Sequence, residues 1–76
     1  MSRKIQTFLH NGMKFEIELT RRYTDGIEEK YVLFMERGDD YIGCIFFDNY
    51  EVRDRDLFLY RDKKVVAILK VGERRE

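Results

Sequence analysis

Alternation with period two runs through most of the chain that carries a readable pattern. Met13-Lys14-Phe15-Glu16-Ile17-Glu18-Leu19-Thr20 alternates without a fault. On a strand, Met13, Phe15, Ile17 and Leu19 share one face and Lys14, Glu16, Glu18 and Thr20 the other; a helix would scatter the apolar four around its circumference. The segment is therefore predicted to be a half-buried antiparallel strand. Asn11-Gly12 stands just before it, a hairpin signal because both central residues of a type I′ turn need positive φ. Ile5 to Leu9 is the expected partner strand.

Two further turn signals follow at similar spacing. Asp25-Gly26 leads into Tyr31-Val32-Leu33-Phe34-Met35, and Arg37-Gly38-Asp39-Asp40 separates that run from Tyr41-Ile42-Gly43-Cys44-Ile45-Phe46-Phe47. Gly38 is expected to supply positive φ. These two runs are continuously apolar, which predicts burial on both faces. A curled sheet, a covering segment or a second copy of the chain would each provide the cover. Leu57 to Tyr60 and Val65 to Leu69 read as a closing hairpin around Arg61-Asp62-Lys63-Lys64, a turn without glycine for which a four-residue type I geometry is expected. The polar segment 48–56 reads as a loop with a short extended piece, one helical turn being the alternative. The charged tail from Gly72 is expected to fray.

The expectation is a single all-β domain over 1–76: a strongly curved antiparallel meander or small barrel of five to six strands. A homodimer is the rival source of cover for the second face, since a bare face would leave a larger apolar patch than monomers usually carry.

Composition narrows the class. Eleven Phe and Tyr residues among 76, with 43% hydrophobic residues and no Pro, are the composition of a folding chain. A domain of this length buries only about 60–65% of its unfolded surface, so its core is small. No apolar run approaches the roughly 20 residues of a membrane helix, and Met1-Ser2-Arg3-Lys4 is not followed by an apolar signal core. With one cysteine, Cys44, no internal disulfide forms, and a reducing, cytoplasmic location is expected. Fifteen Lys and Arg balance fifteen Asp and Glu. That zero sum argues against a global basic field. It hides charges crowded into 21–30, 36–40, 48–56 and 61–64, with none in 31–35 or 41–47.

Candidate chemistry is sparse. A Cys–His nucleophile needs His10 and Cys44 in contact with a third, orienting group; a turn histidine and a buried, inert thiol are expected instead. Zinc needs three or four soft ligands that this chain lacks. The acids of 48–56 have no central Gly for a calcium loop and are interleaved with Arg53 and Arg55. Arg37-Gly38-Asp39 spells an adhesion tripeptide, and a solvated turn accounts for it. No Walker loop, dinucleotide fingerprint or nucleophile elbow is present. No cofactor and no catalytic residue is expected.

The first functional expectation is a non-enzymatic protein-binding module, an inhibitor or modulator docking on a larger protein complex. Its size and lack of chemistry suit an accessory protein of a phage or mobile element acting against a host system. Aromatics expected to point outward, Phe8, Phe34, Tyr41 and Tyr60, are the candidate contact residues, because aromatics dominate interface energy. The alternative is a small OB- or SH3-like barrel binding nucleic acid through Arg21, Arg22, Lys63 and Lys64, with Tyr23 and Tyr60 as stacking platforms and Arg74-Arg75 as a third basic pair. The RNP signature of aromatic and basic residues is absent. No membrane partner is expected.

Overall fold

The alternating segment lies within β2 (Met13–Thr24) of the computed structural model, which describes residues 3–72 and the backbone of Arg74 and Arg75. β1 (Arg3–His10) and β3 (Ile27–Arg37) flank it, and β4 (Asp40–Phe47) pairs with β3, all antiparallel. The chain then crosses at Asp48 into a second antiparallel sheet of β5 (Asn49–Arg53), β6 (Asp56–Arg61) and β7 (Lys64–Lys70). After Val71 and Gly72 it returns to the first sheet as the two-residue β8 (Arg74–Arg75), beside Thr7 and Phe8 of β1. The sheet orders are β4-β3-β2-β1-β8 and β5-β6-β7.

This corrects the expected meander or barrel. Seven strands of five residues or more fold as two sheets, and neither closes. The crossing is fixed by the Asp48 N–H, which donates to the Tyr60 carbonyl oxygen at 3.0 Å, and the return by the Val71 N–H, which donates to the Arg55 carbonyl oxygen at 2.9 Å. The tail is likewise tied down where it pairs with β1. Gly72 is buried with φ of +61°, and a Cβ there would stand 2.7 Å from His10 Nδ1, so both backbone and space call for glycine.

The expected loop at 48–56 contains β5, and no helical turn occurs among the described residues. Its polarity concealed it. Tyr50 pairs with Leu59 and Val52 with Leu57 in register, while Glu51 and Arg53 occupy the alternate positions and bridge at 3.0 Å. The 61–64 turn also differs from expectation. Arg61 pairs with Lys64, leaving a two-residue loop, and Asp62 and Lys63 both take positive φ (54° and 65°), the type I′ pattern without glycine. Asp tolerates that region, and the right-handed twist of the flanking strands selects the primed turn. The expected glycine turns form as read: Asn11-Gly12 (50°, 80°) and Asp25-Gly26 (54°, 78°) close two-residue hairpins, and Gly38 supplies φ of 60°.

The core lies between the sheets. Phe8, Phe15, Ile17, Leu33 and Phe47 from the first meet Leu57 and Leu59 from the second, with Val71 closing one end. Phe47 stacks on Tyr31 (centroids 5.5 Å apart) and receives the Tyr50 ring edge-on at 5.9 Å, which joins β3, β4 and β5 through aromatic contact. The apolar runs of β3 and β4 are thus covered on one face by the second sheet. The two-faced burial they predicted is partial. On the outer face Val32 is buried and Phe34 half-buried, but Tyr41, Ile42 and Cys44 are exposed.

A bulge shapes the tip of the β2–β3 hairpin, where Thr20 and Arg21 together oppose Lys30. Arg21 has φ of 90°. A non-glycine residue held there costs of order 1–3 kcal/mol. Arg21→Gly removes that strain while adding about 0.5–1 kcal/mol of unfolded-state entropy. A net stabilisation of about 1 kcal/mol is expected, raising Tm by about 4–8 °C in a domain of this size. Thermal unfolding followed by circular dichroism reads this directly; a fall in Tm would mean that the Arg21 side chain contributes more than its backbone strain removes.

Candidate functional site

The described residues hold one buried charge. Glu29, in β3, is 3% exposed. Arg22 Nε donates to its Oε1 at 2.7 Å and Arg61 Nε to its Oε2 at 2.6 Å, while the Thr24 hydroxyl also donates to Oε1 at 3.0 Å. Arg61 reaches further, from Nη2 to the Thr24 carbonyl oxygen at 3.3 Å. Burial pushes the Glu29 carboxyl pKa up, but the hydrogen bonds from Arg22, Arg61 and Thr24 and the charge of Arg22 outweigh it, so the pKa falls below its ordinary value. The bulge before Arg22 aims the hairpin tip at this point. The network joins the β2–β3 tip to the end of β6, and so joins the two sheets.

The same Arg22 lies 3.4 Å over the Phe46 ring on the outer face of the first sheet. That face divides in two. Over β1 and β2 it carries ion pairs, Lys4–Glu16 at 2.7 Å and Lys14–Glu36 at 3.0 Å, with Leu9 exposed beside Lys14. Over β3 and β4 it is apolar. Phe34 faces Cys44 and Val32 faces Phe46 in register, and the bulge in β4 adds Ile42 beside Tyr41. Tyr41 is 60% exposed and Ile42 54%. Cys44 is exposed, a correction to the expected buried thiol. Hydrogen bonding with that thiol leads the causes that raise the Tyr41 hydroxyl pKa above its ordinary value, followed by partial burial. Since β4 is an edge strand among the described residues, this apolar half borders a row of backbone groups that they leave unpaired.

The aromatic candidates do not form one surface. Phe34 and Tyr41 share the outer face of the first sheet, and Tyr60 sits on the outer face of the second. Phe8 is fully buried, a correction: it pairs with Phe15 across the Asn11-Gly12 hairpin and shares its inward face. That was legible, because a two-residue turn at 11–12 puts residue 8 opposite residue 15. Of the basic candidates, Arg21, Tyr23, Lys63 and Lys64 are exposed, whereas Arg22 is held by Glu29. The Arg74 and Arg75 side chains lie outside the described residues.

Tyr60 opens onto a cleft of about 510 Å³, a larger hollow than so small a sheet would be expected to offer. Asp48, Glu51, Asp62 and Lys63 line it with Tyr60. Two of its acids are engaged: Asp48 Oδ2 accepts the Asp62 N–H at 2.8 Å, and Glu51 Oε1 takes both the Tyr60 hydroxyl at 3.1 Å and Arg53 at 3.0 Å. The bond from Arg53, then that from Tyr60, lowers the Glu51 pKa; partial burial, then Glu51, raises that of Tyr60. Such a hollow can seat a polar group beside the hydrogen-bonded Tyr60 and Glu51. His10 and Cys44 do not meet, since β2 and β3 separate their strands by three strand spacings, about 14 Å. Among the described residues no three His, Cys, Asp or Glu side chains gather as a metal site, and no helix is long and apolar enough to cross a membrane.

Sequence reasoning missed Glu29, Ile42, Val65, Val66 and Ile68. The last three are exposed apolar residues of edge strand β7, expected to lie in a buried closing hairpin. No protein-family model, curated protein or solved structure matches this chain.

Proposed function

We propose that this chain is a non-enzymatic protein-binding module that docks on a larger protein complex as an inhibitor or modulator. The observation that carries the reading is the apolar half-face on edge strand β4, with Tyr41 and Ile42 more than half exposed beside Cys44 and Phe34. A protein leaves such side chains in water at a cost that a partner's surface removes. The adjoining strand edge offers main-chain hydrogen bonds to the same partner.

Affinity capture from cells of the source at moderate salt tests this. A stoichiometric protein partner is expected, identified by mass spectrometry and rebuilt with purified components. The Tyr41→Asp/Ile42→Asp variant should keep its far-UV spectrum and bind that partner at least about 30-fold more weakly, the effect of losing one interface hot spot of about 2 kcal/mol. Failure to recover a stoichiometric partner, or equal binding by the variant, would overturn the reading.

One observation favours single-stranded nucleic acid as the alternative ligand. The Glu29–Arg61 contact ties the tip carrying Arg21 and Tyr23 to the strand end that leads into Lys63 and Lys64. Against it, Arg22 is neutralised by Glu29, and Asp25, Glu28 and Asp62 stand among the bases. Tight binding to a single-stranded oligonucleotide that weakens steeply with salt would reverse the order of the two readings.

A further inference from the structure

We infer that the free edge of β7 receives an extended segment of the partner protein, apolar at alternate positions and acidic at both ends. The inference rests on the protein-binding reading and adds to it a place and a partner chemistry.

Among the described residues β7 pairs only with β6, so its other side presents unpaired N–H and C=O groups. Its outer face carries Val65, Val66 and Ile68, the last 59% exposed, flanked in register by Phe58 and Tyr60 of β6. An added strand would gain main-chain bonds along the regular stretch Ala67–Lys70 and cross-strand contact with Ile68 and Val66. The strand's charges stand only at its ends. Among the described residues Lys64 forms no ion pair, and Lys70, which bridges Asp56 at 3.1 Å, keeps 64% of its side chain exposed. Five residues lie between these lysines, which stand about 20 Å apart along the strand. A complementary segment therefore carries its acids about six residues apart with an apolar run between them.

Charge also argues against a second copy in the same place. Antiparallel self-pairing centred on Ala67 would bring the Lys64 end of each molecule alongside the Lys70 end of the other, and like charges brought together at both ends of the pair oppose it. Lysines on a sheet edge can instead serve only to repel strands, and that reading makes the opposite forecast below.

The probe is a fluorescently labelled synthetic peptide, Asp-Asp-Val-Thr-Val-Thr-Val-Asp-Asp, with a control in which lysine replaces every aspartate. Fluorescence anisotropy should show the acidic peptide binding at least ten-fold more tightly than the control, and losing affinity as salt rises. The exposed-site variant Lys64→Glu/Lys70→Glu, checked by circular dichroism for an unchanged fold, should invert that preference. Equal affinity for the two peptides, binding of neither, or an unchanged preference in the variant would overturn the inference, as a purely repulsive edge requires. Self-association of the unmodified chain in sedimentation, abolished by the same two substitutions, would assign the edge to a second copy and equally overturn it. If the captured native partner binds the Lys64→Glu/Lys70→Glu variant undiminished, the protein-binding reading survives and this one falls. If the acidic peptide binds as described while no partner is captured, the strand-accepting chemistry of the β7 edge stands and the docking reading falls.

Discussion

Glu29→Ala is expected to destabilise the protein by about 2–4 kcal/mol, below the full 3–5 kcal/mol for breaking a buried ion pair because both arginines retain some contact with water. Removing the carboxylate leaves Arg61, whose side chain is 27% exposed, beside Arg22 with no anion between them, and it strips the Thr24 hydroxyl of its acceptor. Repulsion between the two guanidinium groups then acts where the sheets are joined. Glu29→Gln keeps the volume and one acceptor oxygen, so its loss should fall between that of Glu29→Ala and none. Urea unfolding with an unchanged m-value measures both. A loss below about 1 kcal/mol for the alanine variant would show that solvent screens the network despite the burial of Glu29.

The same carboxylate sets part of the acid limb of stability. Its folded pKa is depressed below the ordinary value of 4.5, so the folded state holds this proton less tightly than the unfolded chain. The contribution is therefore fully present above the unfolded value and is lost as pH falls through the folded one. Between those two values the wild-type protein should lose stability with falling pH more steeply than Glu29→Ala. Identical slopes in that window would remove Glu29 from the account.

Much of the first sheet can be read from the chain because two independent signals agree there. The alternation of Met13–Thr20 fixes the faces of β2, and the Asn11-Gly12 and Asp25-Gly26 turns fix the pairing on either side. The split into two faces also follows from the sequence, with Val32, Phe34, Cys44 and Phe46 on one side and Leu33, Met35, Ile45 and Phe47 on the other, as the register places them. The second sheet is harder to read. β5 spends alternate positions on Glu51 and Arg53 and leaves only Tyr50 and Val52 as an inward signal, too few to register as a period. The Asp62-Lys63 turn adopts positive φ with residues that do not advertise it. The crossing at Asp48 depends on a backbone bond to Tyr60, twelve residues on, which no local pattern encodes. Glu29 is the extreme case. Nothing in Ile27-Glu28-Glu29-Lys30 distinguishes the buried glutamate from its exposed-side neighbour, and Arg61 lies 32 residues away. Of the candidate surface, Tyr41 and Phe34 were legible because β3 and β4 are apolar on both faces. The exposed edge of β7 was not, because an apolar run reads as core whether or not anything covers it.

Phe47→Ala is expected to cost about 3–5 kcal/mol, and Phe46→Ala only about 1 kcal/mol. The two are adjacent and chemically identical, so the difference isolates the face. Phe47 points between the sheets, fully buried, with Tyr31 stacked on it and the Tyr50 ring edge-on. Its truncation opens a cavity where β3, β4 and β5 meet. Phe46 points outward beneath the Arg22 guanidinium and keeps part of its surface in water. A 76-residue domain has a total stability of roughly 4–11 kcal/mol, so Phe47→Ala should be largely unfolded or close to it at 37 °C, while Phe46→Ala should melt only a few degrees below the parent. Comparable losses at the two positions would mean that the outer face of the first sheet contributes to folding as core does, and the expectation that Tyr41 and Ile42 can be changed without loss of the fold would fail with it. The predicted asymmetry instead leaves that face as surface, where changes at Tyr41 and Ile42 can alter association without altering the fold.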